Sequence, residues 1–141
     1  MTTKTFKFLL LILLSQLSIS AQSDLESIKL TLTDYIEGTA NGEPDRLRSA
    51  FHPDFNLYFV KNDSLTIWSG KGYVDRIKVG QKSNRIGRII SIDHENDAAS
   101  AKVEILMPNS KRIYTDYFLL LKLDNDWKII HKSFTSVPYP E

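Results

Sequence analysis

The 141-residue chain contains no cysteine. That excludes disulfides, thiolate metal sites and a lipid-modified cysteine behind a leader peptide. Glycine (6) and proline (5) are too sparse for a low-complexity or disordered chain. No block of like charge occurs and the formal net charge is +1, a near-neutrality that argues against nucleic acid as a partner. No apolar run reaches the roughly 20 residues that a membrane-spanning helix needs. Histidine is confined to His52, His94 and His131, with neither His-x-x-x-His nor Glu-x-x-His spacing. No metal site is therefore expected, and no cofactor.

What is present begins with Lys4 and Lys7, ahead of the apolar run Phe8 to Leu14 and a stretch ending in Ser20 and Ala21. A basic start, a short apolar segment and small residues at its end read as a secretory signal peptide over residues 1–21, cleaved after Ala21. Its removal leaves 16 basic against 17 acidic residues, a formal charge of −1, and no membrane contact. An exported chain without disulfides suits a bacterial periplasm or medium. Residues 22–141 form one domain by this reading, with 42% apolar and 25% charged residues over the whole chain. That length suffices for one core burying roughly two-thirds of the surface an unfolded chain exposes.

Leu25, Ile28, Leu32, Tyr35 and Ile36 have helical spacing, with Ser23 or Asp24 as cap and Gly38 and Asn41-Gly42 as stops, which predicts a helix over 24–40. A second, shorter helix opens at Glu43-Pro44-Asp45, buries Leu47, Ala50 and Phe51, and ends at Pro53. The period then changes to two, with Phe55, Leu57 and Phe59 alternating with polar or mixed residues, and Asn62-Asp63 turns the chain into residues 65–69 as a hairpin. Lys71 to Gln81 predicts a third helix through Tyr73, Val74 and Ile77. Four strands follow, near 87–95, 98–107, 111–123 and 127–137, joined by short turns. Both faces of the strand at 111–123 are apolar, so it is expected to be central and covered on both sides. The fold class is α+β, three helices covering one face of a long curved antiparallel sheet, with a concave space between them.

The stretch from Tyr35 to Phe55, with its Asn-Gly-Glu-Pro corner and Phe-His-Pro-Asp, and the ending from Asp116 through Asp124-Asn-Asp-Trp127 to Phe134 resemble the nuclear transport factor 2-like superfamily. This is a cone-shaped fold that includes ketosteroid isomerases, cyclases, dehydratases and noncatalytic proteins. The resemblance spans about 24–137 and is closest to the bacterial lumazine-binding, SnoaL-like subgroup. It implies a small-ligand pocket and a homodimer formed through the outer sheet face. The superfamily's isomerases use a tyrosine on the first helix and two acids lining the cone. Tyr35 matches the tyrosine, but gap-free counting puts the general base at Phe59 and the oxyanion-hole acid near Leu119. A phenyl ring abstracts no proton and an isobutyl group donates no hydrogen bond, so that isomerase chemistry is not expected.

Tyr35, Phe55, Phe59, Trp68, Tyr73, Tyr117 and Leu119 are expected to line the pocket, where they either hold a small hydrophobic or aromatic ligand or pack the cone shut. Asp116 and His131, on neighbouring strands, are candidates for a pair acting with Tyr35 in a dehydratase, cyclase or isomerase; a solvent-facing cross-strand pair is the alternative. His52 is read as satisfying the carbonyls that end the second helix, and Trp127 and Phe134 as packing or interface residues. The reading carried forward is an exported, noncatalytic small-molecule-binding protein. Its alternatives are an enzyme using Tyr35 with Asp116 or His131, and a protein-interaction module with a filled cone.

Overall fold

The computed structural model describes residues 24–140. The expected signal peptide and the Ser23 cap lie outside them. Helix α1 (residues 24–41) buries Ile28, Leu32 and Tyr35 on one stripe, as their spacing requires. Its start is fixed to the far end of the chain: Asp24 Oδ1 accepts from Lys122 Nζ at 2.7 Å and from Trp127 Nε1 at 3.2 Å. Those two hydrogen bonds, Lys122's first, hold the Asp24 carboxyl below its ordinary pKa. Two turns along, the buried Thr31 donates to the Trp127 carbonyl at 3.1 Å.

Helix α2 (Pro44–Ala50) starts on proline and buries Leu47 and Ala50 against the rest of the core. The corner before it requires Gly42, whose φ is +69° and whose missing Cβ would fall 2.5 Å from Lys78 O and Gln81 N. The second helix was expected to run to Pro53, but Phe51 is already extended and begins strand β1 (Phe51–Lys61). Pro53 is accommodated because pairing with the last strand breaks between Phe51 and Asn56, so its missing N–H interrupts no ladder.

Asn62 and Asp63, both with positive φ, turn β1 into β2 (Ser64–Ser69), a two-residue hairpin. Helix α3 (Gly70–Asp75) is capped by Ser69, whose Oγ accepts from the Gly72 N–H at 3.1 Å. It is six residues long, not the eleven expected from Lys71 to Gln81. The chain leaves the helix because α1 offers it other partners. Gly80 N–H donates to Gly42 O and Ser83 N–H to Ala40 O, each at 2.8 Å, which satisfies carbonyls left open at the end of α1.

Strands β3 (Ile86–Glu95), β4 (Ala98–Met107), β5 (Arg112–Leu123) and β6 (Asp126–Pro138) complete a six-stranded sheet of order β2-β1-β6-β5-β4-β3. All neighbours are antiparallel except β1 and β6, which are parallel. This is an α+β architecture with the helices packed on one face of a curved sheet. Strand β5 is central, but only its Asp116, Phe118 and Leu120 face is buried. Tyr117 and Leu119, on the opposite face, are each 48% exposed, so the expected burial of both faces is not met within one chain. The helices are all on the same side and leave the second face of the sheet to solvent.

Candidate functional site

The site depends on one extra residue in β6. Trp127 and Ile129 point into the core, and strict alternation would send His131 after them. The register with β5 shifts, however: Leu119 pairs with His131 and Leu120 with Ile129, leaving Ile130 as a β-bulge. The bulge reverses the alternation. Lys132 is buried, with Phe134 on the same face, and His131 is turned to the outer face of the sheet, where it stacks on Tyr58 with ring centroids 4.6 Å apart. Asp116 pairs across the ladder with Phe134, not with His131. The expected Asp116–His131 pair is therefore not formed, because its members are on opposite faces.

In its place the inner face carries three polar side chains from three elements: Tyr35 of α1, Asp116 of β5 and Lys132 of β6. The Tyr35 hydroxyl donates to Asp116 Oδ2 at 2.6 Å and accepts from Lys132 Nζ at 2.6 Å, while Lys132 Nζ is 3.0 Å from Asp116 Oδ2. All three are buried: Tyr35 and Asp116 are 1% exposed and Lys132 5%. Aromatic rings surround the ammonium, with the Tyr73 and Phe134 centroids at 5.4 and 5.3 Å. The other carboxylate oxygen, Asp116 Oδ1, is buried and has no hydrogen-bond partner in the protein.

Burial first, and then the Asp116 carboxylate, push the Tyr35 phenol well above its ordinary pKa; Arg85 acts the other way. Tyr35 is thus held as a neutral donor to the carboxylate.

A cavity of about 180 Å³ opens above this floor. Tyr35, Asp116 and Lys132 form its polar end, and Leu57, Trp68, Tyr73, Arg85, Ile105, Met107, Tyr114 and Phe134 the remainder. Of the aromatic residues expected in the pocket, Tyr35, Trp68 and Tyr73 line this cavity. Phe59 stands behind it, its ring 4.8 Å from those of Trp68 and Phe134. Phe55 lies elsewhere, stacked on Phe51 at 3.8 Å beside a separate cleft at α3. Tyr117 and Leu119 are corrected to the outer face, where with His131 and Lys102 they border a groove of about 390 Å³. The acid inside the cone is Asp116, three residues before the position that gap-free counting had pointed to. His52 does not close α2 through its ring: its Nδ1 accepts from the Asp54 N–H at 3.2 Å within β1.

Lys132 and Arg85 were missed from sequence. A lysine in an exposed-looking Ile-Ile-His-Lys-Ser run carries no burial signal, because one bulged residue decides which of His131 and Lys132 turns inward. The residue pattern that marks the core, apolar at alternate positions, is silent about an inward charge.

The profile of a family described as "Putative lumazine-binding" matches residues 23–135. The aldolase FrzH of Cladobotryum sp is 26% identical over 117 residues, covering 82% of this chain and 94% of its own length. A crystal structure of an NTF2-like protein of unknown function from Shewanella baltica OS155 superposes with a TM-score of 0.71 at 26% identity, covering 82% of this chain and 95% of that one. Another, from Methylobacillus flagellatus KT, gives 0.69 at 30% identity over 79% of this chain and 90% of its own.

Removing one member of a buried ion pair strands the other charge and typically costs about 3–5 kcal/mol, whereas replacing both with apolar groups costs far less. Lys132→Met is therefore expected to lower stability by about 3 kcal/mol or more, and the Asp116→Leu, Lys132→Met double variant by less than the sum of the two single changes. Urea unfolding of the four proteins checks this, and additive losses would show that the pair is not coupled.

The raised pKa of Tyr35 makes a second prediction. A group whose folded value exceeds its unfolded value of about 10 contributes stability in full below that pH and loses it as pH rises through the folded value. The native-state alkaline absorbance change at 295 nm is expected to have the same amplitude in Tyr35→Phe as in the wild type, since the Tyr35 phenol ionises only when the chain opens. A smaller amplitude in the variant would show that Tyr35 titrates in the native state.

Proposed function

The chain belongs to the "Putative lumazine-binding" family of the nuclear transport factor 2-like superfamily, and on that premise we propose that it is an exported protein that holds a small planar ligand in its cone. The observation that carries this reading is the unspent hydrogen-bonding capacity of Asp116 Oδ1, buried at the end of an otherwise largely aromatic and aliphatic cavity. Packing shut a cone over an unpartnered carboxylate oxygen costs free energy, whereas a ligand N–H or O–H turns the same atom into an orientation point. Size favours a compact molecule: an apolar cavity of about 150 Å³ takes a benzene ring, so about 180 Å³ accommodates one substituted ring or a compact bicycle. The remaining volume weighs against a filled cone. Export is proposed from the N-terminal run of residues 4–21, and a homodimer through the outer face that leaves Tyr117 and Leu119 half exposed.

A second reading is favoured by the same oxygen. Asp116 Oδ1 would take a proton from the carbon beside a ligand carbonyl, and the electron pair of that C–H bond would move through the new C–C double bond to the carbonyl oxygen. Lys132 and Arg85 both line the cavity and are the cations available to hold the enolate. The similarity to an aldolase over 94% of that protein's length supports asking the question. In this reading Tyr35 and Asp116 act with Lys132, and His131 has no part.

A thermal-shift screen of residues 22–141 against pterins, flavins, steroids and small aromatic acids is expected to give a hit. A ligand at a hundred times its Kd stabilises the native state by about 2.7 kcal/mol, a shift of several degrees. A hit whose α-hydrogens exchange with D2O in the wild type but not in Asp116→Asn selects the enzyme, and a hit without exchange selects the binding protein. A flat screen with working controls removes both. Light scattering of the same preparation is expected to give twice the monomer mass, and a monomer would remove the dimer.

A further inference from the structure

The charged side chains lining the cavity do not cancel. Lys132 is spent on Asp116 and Tyr35. Arg85 reaches the same cavity from the loop between α3 and β3, and it has no ion pair or hydrogen-bond partner among the described residues. Its Nε is buried, so the guanidinium has surrendered part of its hydration without a protein acceptor in return. Two cations and one anion thus face a single small volume, and a third cation, Arg76, lies 4.6 Å over the Trp68 ring that forms one wall. At the opposite pole of hydrogen-bonding chemistry, Asp116 Oδ1 is an acceptor without a donor, on a side chain 1% exposed.

We infer that the cavity is built for an organic monoanion that carries both a hydrogen-bond donor and an aromatic or conjugated ring: its anionic oxygens pair with Arg85, its donor reaches Asp116 Oδ1, and its ring lies among Trp68, Tyr73 and Phe134. The inference rests on the ligand-binding reading above and narrows it to an acid. An anion satisfies the cavity's excess charge, and a planar guanidinium matches a carboxylate through paired N–H donors better than it matches a neutral carbonyl. A neutral ring would leave Arg85 unpaired, and a cation would be repelled by it. Arg85 lies near enough to lower the Tyr35 phenol's pKa, opposite in sign to Asp116, as its place in the lining requires.

The test compares benzoate, 3-hydroxybenzoate and 4-hydroxybenzoate with their neutral amides, by calorimetry at fixed ionic strength, on the wild type, Arg85→Gln and Arg85→Lys. At least one hydroxybenzoate is expected to bind about tenfold or more tightly than its amide, the scale of one charge-assisted hydrogen bond. Arg85→Gln should abolish that preference by weakening acid binding about tenfold more than amide binding, and Arg85→Lys should restore part of it. Acid and amide binding alike, or a preference that survives Arg85→Gln, would overturn the inference. A neutral pterin that binds where every acid fails would overturn it too, yet leave the ligand-binding reading standing. Failure of every compound, pterins included, would remove both.

Discussion

A lysine and an aspartate share the centre of this fold because each makes the other's burial tolerable. Neither belongs in an apolar interior alone, where an unpaired charge costs several kcal/mol. Together, with the Tyr35 hydroxyl bridging them, they form a small polar island between α1, β5 and β6. The arrangement also sets where the core must stay open. Asp116 uses one oxygen for the island and keeps the other free, so the aromatic residues around it border a cavity instead of closing over it.

The geometry that permits this is a backbone feature. Ile130 is the extra residue by which β6 changes the face it presents to the core, and upstream of it Trp127 and Ile129 make an ordinary apolar interior. Downstream, Lys132 and Phe134 make a site. One strand therefore serves the stability of one end of the cone and the chemistry of the other. The outer surface gains from the same change, since His131 is delivered to Tyr58 and away from the core.

Much of the architecture was legible in the sequence. Helical spacing over Ile28, Leu32 and Tyr35, the Asn62-Asp63 and Asp124-Asn125 turns, and four alternating segments after residue 86 gave element order and nearly every boundary. The errors have physical causes. Proline stops helices, which points to a second helix running to Pro53, but β1 starts earlier and takes Pro53 where its ladder with β6 is already broken. Ile77 keeps the helical period of the third helix, but α3 is shorter because the carbonyls of Ala40 and Gly42 capture the N–H groups of Ser83 and Gly80. At the site, Tyr35, Trp68 and Tyr73 were legible as inward aromatics. Tyr117 and Leu119 were misplaced because β5 is hydrophobic on both faces, so apolar pattern alone does not choose between them. Lys132 was beyond reach, since the bulge that turns it inward has no signature in local composition.

The strand latest in sequence among the described residues is not at the edge of the sheet. β6 lies between β1 and β5, and among the described residues it is the only strand connecting the β1–β2 hairpin to the other three. Without residues 126–138 the two parts of the sheet have no shared ladder, and Tyr35 and Asp116 have no Lys132 to balance them. The chain's decisive contacts thus have high sequence separation, which slows folding. Slow closure also suits the export proposed above, because a chain whose sheet has not yet closed is still a threadable one.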